Sequence, residues 1–157
     1  MRIVIRKNSS ERHVLEVVRA NGLREQVECE TRSYLTHDFL HYAVESEARV
    51  QSGFWGNLAS GRTLADMNDR TGKSMAAAAP DLMVIEQIVG ALSSVVKGSP
   101  AARVVDGLRD YARAQGTTMP AWLTEEFVVA VNERMRQLMG RWKATRYGDA
   151  MELEWPA

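Results

Sequence analysis

Hydrophobic and polar positions alternate at the two ends of the chain and fall into helical stripes between them. Ile3 and Ile5 alternate with Arg2, Val4 and Arg6, the period-two pattern of a half-buried strand. Arg12–Ala20 can be read as a helix striped by Val14, Leu15 and Val18, or as a strand with Leu15 and Val17 on one side. The alternating run Val27–Thr31 after Asn21-Gly22 favours the strand, with a two-residue type I′ turn closing a hairpin. A helix is expected from near Leu35–Thr36, capped by Thr36, to a stop before Gly53. The Phe54-Trp55 pair after that glycine is expected to plug the core. Residues 62–80 show no clear period and read as a mobile loop or a short helix with loose ends.

Three helices follow. Asp81–Lys97 carries Leu82, Ile85, Ile88, Val89, Leu92 and Val96. Ser99-Pro100 opens the next, which runs through Val104, Val105, Leu108 and Tyr111 to Gly116. Thr124 opens a long one striped by Phe127, Val131, Met135, Leu138 and Trp142. The period then returns to two, with Met151, Leu153 and Trp155 inward and Glu152 and Glu154 outward. The expected fold is α+β, a single domain over residues 1–157. Its small, mostly antiparallel sheet has about four strands (N-terminal strand, hairpin, C-terminal strand) packed by three to four helices.

Composition narrows the possibilities without choosing among them. With 157 residues, 45% hydrophobic, the chain can bury a core without disulfides or a structural metal. Twenty basic residues balance twenty acidic ones, so no global field favours nucleic acid or an anionic membrane. The single cysteine, Cys29, and the lack of an apolar segment after Met1 point to a cytoplasmic setting. A homo-oligomer is compatible with the pattern, since the short strand Arg2–Arg6 could pair as an edge across a two-fold axis or be capped.

The candidate chemistry lies in the helix that starts near Thr36. His37 and His41 are one turn apart, with Asp38 beside the first and Glu45 one turn beyond the second. On a helical wheel, His37, His41 and Glu45 fall at about 0°, 40° and 80°, on the edge of a wide apolar sector built from Phe39, Leu40, Ala43 and Val44. Two histidines at i, i+4 are a known zinc-ligating spacing. Glu45 lies eight residues from His37, roughly 12 Å along a helix axis, so all three cannot readily share one ion. His37 with His41, or His41 with Glu45, is the more economical pair, and Glu45 could instead fix the tautomer of His41. Glu86, at the border of the apolar face of its own helix, is the best-placed further ligand. Asp38 stands where zinc hydrolases of the H-E-x-x-H type carry glutamate, one methylene longer.

Other features carry less. His13 is expected to be an exposed strand histidine, and Cys29, between Glu28 and Glu30, an unreactive core thiol. Thr71-Gly72-Lys73-Ser74 resembles the end of a phosphate-binding loop, but Met67 stands where its first glycine is required. Arg134, Arg136, Arg141 and Lys143 share their helix with Glu125, Glu126 and Glu133 and read as a solvated face.

The run from Glu30 through His37-Asp38-Phe39-Leu40-His41 to Glu45, followed by Gly53-Phe54-Trp55-Gly56, resembles a family of small bacterial proteins of unknown function. There an Asn-Gly or Asp-Gly hairpin leads into a His-Asp-x-x-His-x-x-x-Glu helix, and a tryptophan-bearing strand closes the chain. The resemblance implies the hairpin and a bacterial cytosolic setting, and it implies no activity. Two functions remain in view. The first is a non-enzymatic domain that binds an unknown small molecule or protein partner, with His37, His41 and Glu45 as a structural hydrogen-bond network. The second is a zincin-like hydrolase site that holds a divalent metal such as zinc through His37, His41, Glu45 and Glu86. Its catalytic candidates are Asp38 and Glu45, with Arg32 or Tyr42 as helpers.

Overall fold

The computed structural model describes residues 1–67, 80–96 and 98–156. Four strands form one antiparallel sheet: β1 (Arg2–Lys7), β2 (Arg12–Val18), β3 (Arg24–Glu30) and β4 (Ala150–Glu154). Their spatial order is β3-β2-β1-β4. The strand expected at an edge, β1, is therefore interior, paired on both sides, and the edges belong to β3 and β4. Register carries the alternation across the sheet: Ile5 faces Leu15 on one side and Met151 on the other, and Ile3 faces Val17 and Leu153. All six are buried, as is Val4 on the opposite face.

The hairpin forms, but its turn is not type I′. Only Gly22 has positive φ, at 83°. Its N–H donates to the Arg19 carbonyl and Arg19 N–H donates to the Leu23 carbonyl. That is a three-residue loop, a turn followed by one left-handed glycine; β2 ends at Val18, two residues before the expected limit, and β3 begins at Arg24, three residues before its own.

Among the described residues, four long helices and two short ones pack with the sheet in one core: α1 (Thr36–Ala48), α2 (Phe54–Ala59), α3 (Leu64–Met67), α4 (Pro80–Val96), α5 (Ala101–Ala114) and α6 (Glu125–Ala144). A π-helical turn, Thr31–Leu35, runs directly into α1, so Leu35 rather than Thr36 occupies the cap position. Of the irregular segment 62–80, residues 64–67 are helical, and 68–79 lie outside the described residues together with Thr71–Ser74. Two stripe assignments move by a residue or fail. Val95 rather than Val96 is buried in α4, and Tyr111 of α5 is exposed. Thr124 caps α6 as expected, its hydroxyl accepting from Phe127 N–H. The cationic residues of α6 are largely committed: Arg134 pairs with Glu47, Arg136 with Glu133, and Arg141 donates to the Glu152 carbonyl.

His13 corrects its expectation outright. It is 1% exposed, its ring set edge-on to Trp142 at 5.9 Å, with Nδ1 3.2 Å from Thr31 Oγ1. It shares strand parity with Leu15 and Val17, and that parity was the available signal. Burial lowers its pKa, against the raising effect of the Asp38 charge. Its cross-strand partner Cys29 is also buried. Burial first, then Asp38 and Glu28, push that thiol up to about 11. At pH 8 only about one thiol in a thousand would be ionised. We expect a disulfide-exchange reagent such as DTNB to label Cys29 only after unfolding in guanidinium; rapid stoichiometric labelling of the native protein would contradict this placement.

Candidate metal centre

Helix α1 ends where Arg49 takes a left-handed conformation (φ 53°) and its N–H returns to the Glu45 carbonyl. The expected stop at Gly53 comes later in the chain and serves another purpose. Reversed by Arg49, the backbone brings α2 back so that its first N–H groups point at the Glu45 side chain. Phe54 N–H donates to Glu45 Oε1 at 2.8 Å, and Trp55 and Gly56 N–H donate to Oε2 at 3.0 and 3.3 Å. A helix start normally leaves four such donors without partners, and here one carboxylate takes three. Gly53 makes the approach possible: a Cβ there would stand 2.1 Å from Glu45 Cδ. Trp55 Nε1 donates to the Asp38 carbonyl at 3.2 Å, pinning α2 across the first turn of α1. The aromatic pair therefore plugs the core, as expected, and also holds this corner closed.

Glu45 is 0% exposed, and its Oε1 lies 3.0 Å from His41 Nδ1. It is thus turned away from the other ring nitrogen and stands where a carboxylate that fixes the tautomer of His41 would, the alternative its spacing offered, rather than with the ligand atoms that gather at Nε2. The opposite nitrogen, His41 Nε2, is buried without a hydrogen-bond partner. Glu86 Oε1, from α4, stands 3.3 Å from it, close enough for charge attraction but poorly aligned for a hydrogen bond. Glu86 Oε2 is 3.9 Å from His37 Nε2. One ligand atom from each of His37, His41 and Glu86 lies within 4.8 Å of the others. These three residues could hold a metal ion.

Burial differs sharply across the trio. The His41 side chain is 1% exposed, Glu86 29% and His37 51%, so the cluster opens to solvent on the His37 side. A cleft of about 340 Å³ lies elsewhere, lined by Val50, Val84, Ile85, Met119 and Trp122 among others, and by none of the three. Burial works to lower the His41 pKa, but the hydrogen bond and charge of Glu45 and the proximity of Glu86 prevail and raise it to about 9. For Glu86 burial acts upward, and His41 and His37 together bring it below its usual value.

The remaining sequence candidates disperse. Tyr42 turns to the sheet, where its hydroxyl donates to the Glu154 carbonyl at 2.9 Å, and Arg32 is exposed. Asp38 is buried, with Oδ1 3.8 Å from His37 Nδ1. The chain matches no family model, no curated protein and no solved structure, so the resemblance to small bacterial proteins rests on its motif residues alone.

Proposed function

We propose that this protein binds a divalent transition-metal ion, zinc foremost, through His37 Nε2, His41 Nε2 and a Glu86 oxygen. The observation that carries this reading is His41: a buried imidazole fixed at Nδ1 by a fully buried carboxylate, with Nε2 unpartnered and facing a second carboxylate and a second imidazole. A ligating histidine held at its far nitrogen is the usual support of a protein metal site. Two imidazoles and one carboxylate suit zinc, and three protein ligands leave a position for water or a bound molecule. The half-exposed His37 would leave such a position within reach of solvent. Such an ion would supply Lewis acidity and an acidified water, so metal-assisted hydrolysis is the enzymatic form of this reading. The setting we read with it is the bacterial cytoplasm, where the lone buried Cys29 would stay reduced.

One observation favours a second reading. A protonated His41 between Glu45 and Glu86 could tie α4 to α1 by charge alone, leaving the domain to act by binding a small molecule or a protein. No described helix is long and apolar enough to cross a membrane, which suits either reading. Elemental analysis of protein purified without a His tag or chelator separates them. We expect close to one zinc per chain, lost in His41→Ala and Glu86→Gln. Metal-free protein that also takes up no added zinc would leave the charge network as the function of these residues.

A further inference from the structure

Resting on the metal reading above, we infer that Asp38 is the positioning residue of His37: it accepts the Nδ1 proton and so presents Nε2 to the ion, as Glu45 does for His41. The two imidazoles stand in matching surroundings. Each has a carboxylate from α1 on its Nδ1 side and shares Glu86 on its Nε2 side. His41 is set between Glu45 at 3.0 Å and Glu86 at 3.3 Å. His37 is set between Asp38 at 3.8 Å and Glu86 at 3.9 Å. The His41 half is locked, and the His37 half stands open by several tenths of an ångström on each side.

The Asp38 carboxylate lies in the first turn of α1, where the helix dipole favours negative charge. Its side chain is 11% exposed, and among the described residues it accepts no hydrogen bond. His13 and Cys29, on the sheet beneath, both feel its charge, yet neither is hydrogen-bonded to it. His37 Nδ1 is the donor within reach. The trio is therefore asymmetric: His41 and Glu86 are held ready, and His37 closes onto them with Asp38 behind it.

Asp38→Leu removes the acceptor while keeping the same branched side-chain skeleton, and Asp38→Asn keeps an acceptor oxygen at nearly constant volume. Zinc affinity is measured by competition with a chromogenic chelator, and the His37 tautomer by long-range ¹⁵N–¹H correlation on metal-free protein. In the wild type we expect the Nδ1–H form of His37. Asp38→Leu should shift it toward Nε2–H and weaken zinc binding by about 10- to 100-fold, the usual cost of losing such a partner. Asp38→Asn should restore both to within a few fold. An Asp38→Leu protein with an unchanged tautomer or unchanged affinity overturns the assignment. A merely structural Asp38 would lower the melting temperature and leave the tautomer alone. Should the wild type bind no zinc, the metal reading fails, and the metal-free tautomer then decides by itself whether Asp38 holds His37.

Discussion

Glu45→Ala should destabilise the protein by about 3–5 kcal/mol, the cost of breaking a buried ion pair from one side. The wild-type carboxylate is wholly buried and accepts from Phe54, Trp55 and Gly56 N–H while facing His41 Nδ1. Alanine leaves three backbone donors and one ring nitrogen with no acceptor, each unmet donor costing about 1–3 kcal/mol. A domain of this size has only about 5–15 kcal/mol of stability in all. Glu45→Gln should cost less, because one oxygen remains, but its amide N–H₂ then faces other donors. Urea unfolding followed by far-ultraviolet circular dichroism measures the difference. An alanine variant within 1 kcal/mol of wild type would mean that α2 does not depend on this carboxylate. The same variant should lose zinc along with stability, whereas Glu86→Gln, at a partly exposed position, should lose zinc and keep most of its fold.

Metal-free protein should lose stability as pH rises from about 6.5 through 9. Folded His41 titrates near about 9 against an ordinary value of 6.5. Its contribution is therefore complete below 6.5 and disappears as the folded imidazole gives up its proton. A difference of that size corresponds to roughly 3 kcal/mol. On the acid side the signs reverse. Glu86 has its pKa lowered on folding, and so has His13, so each favours the folded state at higher pH and withdraws support as pH falls below its ordinary value. Zinc inverts the alkaline limb. A ligating imidazole must be unprotonated, so zinc competes with the proton on His41 and its apparent affinity climbs as pH approaches 9. Denaturation midpoints measured from pH 6 to 9.5, with and without chelator-buffered zinc, should diverge as pH rises. A metal-free midpoint that stays flat over that range would place His41 near its ordinary value and remove the linkage.

The alternating strands and the helical stripes were readable because burial against one face imposes a period, and that period survives in residue type. Glu86 was reachable by the same means, since its wheel angle put it beside the apolar face of α4. Glu45 was not. Its angle says that it borders the core, but what it meets depends on the left-handed Arg49, which turns the following helix start back onto it. Nothing in residue type marks an arginine for that conformation. His13 carries two opposed signals: its parity matches Leu15 and Val17, while its polar ring suggests solvent by type, and parity prevails. The hairpin turn failed for a related reason. Asn-Gly suits a two-residue turn, yet the same pair closes a three-residue loop when only the glycine goes left-handed.

The interior position of β1 has a bearing on synthesis. Residues 2–7 can pair with β2 as soon as residue 18 is made, but their other edge waits for residues 150–154. A chain emerging from the ribosome at about 5–20 residues per second holds that edge unpaired for several seconds or more. Ile3 and Ile5 lie along it, so the nascent hairpin is sticky for as long as translation lasts. The histidine–carboxylate corner, by contrast, is built from residues 38–56 and can close long before the sheet does. Conditions that slow translation anywhere between residues 18 and 150 should therefore cost folded protein in proportion to the delay.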